Sequence, residues 1–186
     1  MQLKFFVVYG KNYPMIEKSI VLVGLMGAGK SSLGRMLAQE FQCNFVDSDA
    51  VIVEREERSI SDIFKESGEP YFRDLERAVI QELITQAPPQ VIGTGGGAFM
   101  NDKTRGVIKE TATSVFLRAN LNILLNRVGK GEGRPLLETG NPRDILQELI
   151  DKRYPVYGQA DVTVKTYNED PQITLDRVTK ALQKHY

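Results

Sequence analysis

Apolar residues along this chain fall into two alternating rhythms, and their order predicts strand after helix after strand. Ile20-Val21-Leu22-Val23 is a short continuous apolar run, the mark of a strand buried on both faces. Leu33, Met36, Leu37 and Phe41 then recur at helical spacing over residues 32–41. Phe45-Val46 predicts a second strand, 90–94 a third, 114–117 a fourth and 160–164 a fifth. Between them, helices are expected over 50–57, from Ser61 onward, over 71–86, 101–110, 120–128, 141–157 and 173–184. Gly68-Glu69-Pro70 breaks the second of these, Pro88-Pro89 ends the third, and Asn101 or Asp102 caps the fourth. Strands alternating with helices imply a parallel sheet with helices on both faces, an α/β fold in three layers. Residues 1–18 precede the first sheet strand as either an extra edge strand or a strap.

The junction between the first strand and its helix carries the chemistry. Gly24-Leu-Met-Gly-Ala-Gly-Lys-Ser31 fits G-x-x-x-x-G-K-[ST] at every fixed position. Such a loop curls its N–H groups around phosphates at a helix N-terminus. Lys30 is then expected to reach the β- and γ-phosphates of a nucleotide, and the Ser31 hydroxyl to ligate Mg²⁺.

Other candidates gain weight beside that loop. Asp47 and Asp49, if extended, point to one side, one suited to a metal's water shell and the other to orienting or deprotonating a hydroxyl. Capping of the next helix is the competing explanation. Arg73 and Glu76, three apart, share a helical face, where Glu76 would fix the arginine. Gly95-Gly96-Gly97 follows a strand end, and three consecutive glycines imply a close backbone approach to substrate or to the transferring phosphoryl group. The glycine-rich charged run 129–137 reads as a lid that delivers Arg134 onto a phosphate and excludes water.

Charge and composition narrow the choice. The chain's 186 residues suit one domain, and its 24 basic and 24 acidic residues leave no global field for nucleic acid or an anionic membrane. An anionic ligand must be met by local arginines. Cys43 alone builds neither an intramolecular disulfide nor a multi-cysteine metal site, and the one histidine, His185 beside the C-terminus, argues against histidine catalysis. The longest early apolar run, Phe5 to Tyr9, is too short to span a membrane and lacks a secretory pattern, so a cytoplasmic location is expected.

Taken together, G-x-x-G-A-G-K-S, D-S-D at 47–49, F-R-x-x-E at 72–76, G-G-G at 95–97, R-P-L-L at 134–137 and R-Y-P-x-Y at 153–157 make the chain resemble the shikimate kinase family over residues 19–184. The resemblance implies a P-loop kinase fold with a five-stranded parallel sheet and a mobile lid, as one domain over 19–186 after an N-terminal extension over 1–18. The substrate region would lie at about 48–78 and the lid at about 129–140. It further implies transfer of the ATP γ-phosphoryl group to the 3-hydroxyl of shikimate, in aromatic amino-acid biosynthesis, by a monomer.

Carried onto this sequence, Gly27, Ala28, Gly29, Lys30, Ser31 and Ser32 would hold ATP phosphates, with Ser31 and, through water, Asp47 on Mg²⁺. Asp49 would be the base or orienting group. Arg73 and Arg153 would clamp the shikimate carboxylate, Glu76 would position Arg73, and Gly95, Gly96 and Gly97 would contact the substrate. Arg134 would meet the transferred phosphate, and Arg127 and Pro171 would wall the adenine. Another P-loop small-metabolite kinase, acting on gluconate or a nucleoside monophosphate, and a nucleotide-dependent switch remain rivals. The two arginines and the triple glycine favour a carboxylated acceptor, and no N-K-x-D guanine-recognition run appears.

Overall fold

The structure, a computed structural model, describes residues 16–86, 88–128 and 140–186, and the backbone of two strands at Phe5–Val8 and Lys11–Pro14. Those two, β1 and β2, form an antiparallel hairpin separate from the main sheet. Of the two placements expected for residues 1–18, this is not an added edge strand.

The main sheet is built from β3 (Ile20–Val23), β4 (Phe45–Asp47), β5 (Val91–Gly93), β6 (Thr113–Ala119) and β7 (Val162–Thr166). Its order is β4-β5-β3-β6-β7, and every pairing is parallel. β3 lies at the centre with all four side chains buried, which is why its sequence is a continuous apolar run. The chain winds from β3 out to β4 and back through β5 before crossing to β6. The crevice beyond the carboxyl ends of β3, β4 and β5 is therefore where a ligand fits this topology.

The helices are α1 (Lys30–Glu40), α2 (Ser48–Glu56), α3 (Ile60–Thr85), α4 (Asp102–Thr111), α5 (Leu121–Val128), α6 (Pro142–Tyr157) and α7 (Pro171–His185). Their starts follow local chemistry. Ser59, Asn101, Asn141 and Asp170 each accept a backbone N–H of the following first turn, and Pro142 and Pro171 open their helices where a missing N–H costs nothing.

Three differences from the expected boundaries have physical reasons. The segments on either side of Gly68 run together as α3, yet Gly68 at φ 81° and ψ 168° is not helical, so the break is a kink and not a gap. Strand β7 begins at Val162 because Asp161 is spent on β6, its carboxylate accepting from the Ser114 N–H at 2.8 Å and the Ser114 hydroxyl at 2.6 Å. Helix α2 starts at Ser48, two residues before the expected 50, so Asp49 is helical and not extended.

Candidate active site

The glycine loop joins β3 to α1 as the motif requires. Gly27 and Gly29 take left-handed φ values of 78° and 98°, and a Cβ at Gly27 would lie 2.9 Å from Val128 Cγ2, so only glycine passes here. Lys30 donates to the carbonyls of Gly24 at 2.8 Å and Leu25 at 3.1 Å, which tethers its ammonium inside the loop. Ser31 hydroxyl and Asp47 Oδ2 are 3.2 Å apart. The other Asp47 oxygen accepts the Asp49 N–H at 3.1 Å. Asp47 therefore caps α2 with one oxygen and meets the Ser31 hydroxyl with the other.

Asp49, placed on the first turn of α2, still faces the same cavity as Asp47. That cavity, about 360 Å³, is lined by Lys30, Ser31, Asp47, Asp49, Arg73, Glu76, the three glycines and Arg153. The carboxyl of Asp49 is pushed above its usual range, first by burial and then by the Asp47 charge, against the opposing pull of Lys30 and Arg73.

Arg73 and Glu76 form the pair their spacing predicts, at 2.8 Å, with the Glu76 side chain 1 % exposed. Arg73 is held further by Glu69 at 3.1 Å and by the faces of Phe72 and Phe64, 5.1 and 5.8 Å from its guanidinium carbon. Burial raises the Glu76 pKa to about 7, although the Arg73 guanidinium pulls it down. Arg153, on α6, donates to the Gly96 carbonyl at 2.9 Å.

The triple glycine has a sharper explanation than close approach to a ligand alone. A Cβ at Gly95 would lie 2.8 Å from Asp49 Oδ1 and 3.1 Å from Glu76 Oε1. One at Gly96 would lie 3.0 Å from Arg153 Nη1, and one at Gly97 2.6 Å from Arg73 Nη2. The glycines thus make room for the charged side chains from α2, α3 and α6. Asp49 Oδ1 and Glu76 Oε1, both on Gly95, are buried with no protein partner. Two acceptors so placed are matched to the hydroxyls of a polar ligand.

A neighbouring cavity of about 300 Å³ lies on the other side of the loop, lined by Ala28, Gly29, Ser32, Arg127, Asn168 and Pro171 among others. Arg127 donates to the carbonyls of Ala28 at 3.2 Å and Tyr167 at 2.6 Å, tying the glycine loop to the segment after β7. The two side chains expected as adenine walls, Arg127 and Pro171, therefore line one cavity. Arg134 and the lid expected around it lie outside the described residues.

Sequence reasoning missed Thr94, whose hydroxyl donates to the Leu22 carbonyl at 3.0 Å beside the cavity. It also missed Phe64, which joins Arg73 only across the Gly68 kink and so leaves no local signal. Tyr157, which donates to the Gly96 carbonyl, stood in the sequence only as the last residue of R-Y-P-x-Y and was given no role. Its position four residues after Arg153 on a helix was the available clue.

A phosphate loop on the central strand of a parallel sheet, with an acid and two anchored arginines in the crevice beside it, defines a P-loop phosphotransferase for a small anionic acceptor. The shikimate kinase family model matches residues 26–183. A shikimate kinase of Paramagnetospirillum magneticum is 49 % identical over 167 residues, spanning 90 % of this chain and 85 % of that protein. Among solved structures, shikimate kinase from Acinetobacter baumannii in complex with shikimate superposes with a TM-score of 0.85 at 32 % identity, over 91 % of this chain and 95 % of that one. The enzyme from Aquifex aeolicus gives 0.74 at 32 % identity, over 89 % and 96 %. The chain belongs to the shikimate kinase family, whose members phosphorylate shikimate with ATP.

Proposed function

We propose that the two cavities divide one reaction between them, ATP across the glycine loop and shikimate between Asp49, Arg73 and Arg153, with the 3-hydroxyl as acceptor. The observation that carries this reading is the pair of arginines fixed around one small cavity, Arg73 by Glu76 and Arg153 by Gly96, opposite the Asp49 carboxyl. Guanidinium groups held in this way suit a single carboxylate better than a mobile point charge would.

The loop N–H groups of Gly27, Ala28 and Gly29, with Ser32, cradle phosphates, and Lys30 leaves the Gly24 and Leu25 carbonyls to follow the β- and γ-phosphates. Ser31 and Asp47 are hard oxygen donors already side by side, and they fit Mg²⁺ with water and phosphate completing its shell. Bound there, Mg²⁺ supplies neutralisation of phosphate charge. Asp49 orients the acceptor hydroxyl and takes its proton, a task its burial-raised pKa suits. Gly95, Gly96 and Gly97 set the floor beneath the substrate. Arg127 and Pro171 enclose the adenine.

Within this reading residues 19–186 act as one unit, a cytoplasmic monomer, with the acceptor region at about 48–78. The segment 129–140 is a lid that brings Arg134 to the transferred phosphate. Among the described residues no helix is long and apolar enough to cross a membrane.

The test is ADP release from ATP and Mg²⁺, with shikimate, gluconate and nucleoside monophosphates offered separately. Stimulation by shikimate alone, lost with a chelator and restored by Mg²⁺, is expected. Stimulation by another acceptor and not by shikimate overturns the reading.

A further inference from the structure

Two tyrosines on α6 have nearly matched surroundings and different targets. Tyr154 and Tyr157 both set their rings edge-on to Phe116, with centroids 5.0 and 5.3 Å away. Each hydroxyl donates to a backbone carbonyl, that of Ala119 for Tyr154 and that of Gly96 for Tyr157. Ala119 ends β6 outside the acceptor cavity, whereas Gly96 is the middle glycine of its floor.

The Gly96 carbonyl therefore accepts from two side chains at once, Tyr157 and Arg153. A carbonyl oxygen has two lone pairs, so both bonds are accommodated. They are not equivalent. Arg153 is part exposed, and a guanidinium that lends one N–H to Gly96 is also the group required by an anionic ligand. Tyr157 is wholly buried, and burial holds its hydroxyl in the protonated, donating form.

We propose that Tyr157 is a positioning residue for acceptor binding: it fixes the Gly96 carbonyl so that the glycine floor keeps its shape when Arg153 turns its guanidinium toward the substrate carboxylate. Without the tyrosine hydroxyl, Arg153 alone satisfies that carbonyl. Binding of the acceptor then competes with a part-buried hydrogen bond, because a C=O partly shielded from water and left without a donor is costly. The nucleotide cavity lies on the opposite side of the glycine loop and shares none of these groups. The effect falls on the acceptor only. This inference rests on the reading that the cavity takes shikimate.

The experiment compares Tyr157→Phe with Tyr154→Phe, measuring KM for shikimate, KM for ATP, and ligand-free Tm. Tyr157→Phe should raise the shikimate KM about tenfold, the scale of one hydrogen bond, with the ATP KM unchanged. Tyr154→Phe, losing an equivalent bond elsewhere, should lower Tm to a similar degree with both KM values unchanged. Para-aminophenylalanine at 157, which keeps an N–H donor at the ring's far end, should restore the shikimate KM. If Tyr157→Phe does not fold, 4-fluorophenylalanine at 157 fills the same volume without a donor and must show the same rise. An unchanged shikimate KM, an equal rise in Tyr154→Phe, a parallel rise in the ATP KM, or no recovery with the amino analogue overturns the proposal. Wild-type enzyme that ignores shikimate would defeat the substrate reading itself, a separate and recognisable failure.

Discussion

Replacing Glu76 with Gln removes a buried carboxylate while keeping its shape, and the consequence is a change in how stability responds to pH. Two forces act on this group in opposite directions. Burial at 1 % exposure penalises the charged form, and the Arg73 guanidinium at 2.8 Å favours it. Their balance, with Asp49 adding repulsion and Arg153 attraction, lifts the pKa from 4.5 to about 7. The folded protein thus keeps a proton that the unfolded chain releases near pH 4.5. The stability this contributes is fully present below that pH and is lost as pH rises through about 7. At about 1.4 kcal/mol for each unit of pH, the loss amounts to about 3 kcal/mol. Urea unfolding of wild type and Glu76→Gln, run in parallel from pH 4.5 to 7.5, reads the effect as a difference and cancels the carboxylates that do not interact with Glu76. Wild type should lose about 3 kcal/mol relative to the variant across that range. Parallel curves would refute the argument. A wild type that gains on the variant as pH rises would show that the Arg73 ion pair outweighs burial.

Two further substitutions test the acceptor cavity. Arg73→Lys should raise the shikimate KM by roughly 30-fold, about 2 kcal/mol, because an ammonium cannot hold Glu76, Glu69 and a carboxylate in the geometry of a guanidinium; steady-state kinetics with an unchanged shikimate KM would remove Arg73 from the clamp. Gly95→Ala places a methyl 2.8 Å from Asp49 Oδ1 and 3.1 Å from Glu76 Oε1, and displacing those carboxylates should lower kcat by about 100-fold, whereas near-normal turnover would show that they are free to move aside.

The glycine-loop half of the candidate site was legible in sequence because the backbone builds it. Loop glycines, Lys30 and Ser31 lie within one turn of chain, so spacing alone sets their geometry. The sheet was legible for a similar reason: β3 is apolar at every position because both of its faces are covered. The other half, the proposed acceptor cavity, is assembled from α2, α3, the loop after β5 and α6, and no local spacing connects these. Residue types pointed to Asp49, Arg73 and Arg153, but the reason for the three glycines became apparent only when each was seen against a charged side chain. Tyr157 and Thr94 act through backbone carbonyls of other strands and loops, contacts that a single helix or strand pattern does not encode.

The way the acceptor cavity is held together also bears on how its specificity would change. Asp49, Arg73, Glu76 and Arg153 are all partly or wholly buried, and each leans on another or on a glycine that has cleared its path. Removing Arg73 would leave Glu76 without its cation in a poorly solvated place, and its carboxyl, already lifted to about 7, would be driven further toward the protonated form. A neutral acceptor cannot be accommodated by altering Arg73 alone, because Glu76 would lose its cation and Gly97 would face an empty space. Changing acceptor class requires Arg73 and Glu76 to change together, and a double variant should be less destabilised than the sum of its single substitutions. The glycine loop stands apart from the Arg73–Glu76 pair, its Lys30 ammonium donating to the Gly24 and Leu25 carbonyls. On the proposed reading, coupling between buried charges, more than the number of contacts, ties this cavity to one kind of substrate.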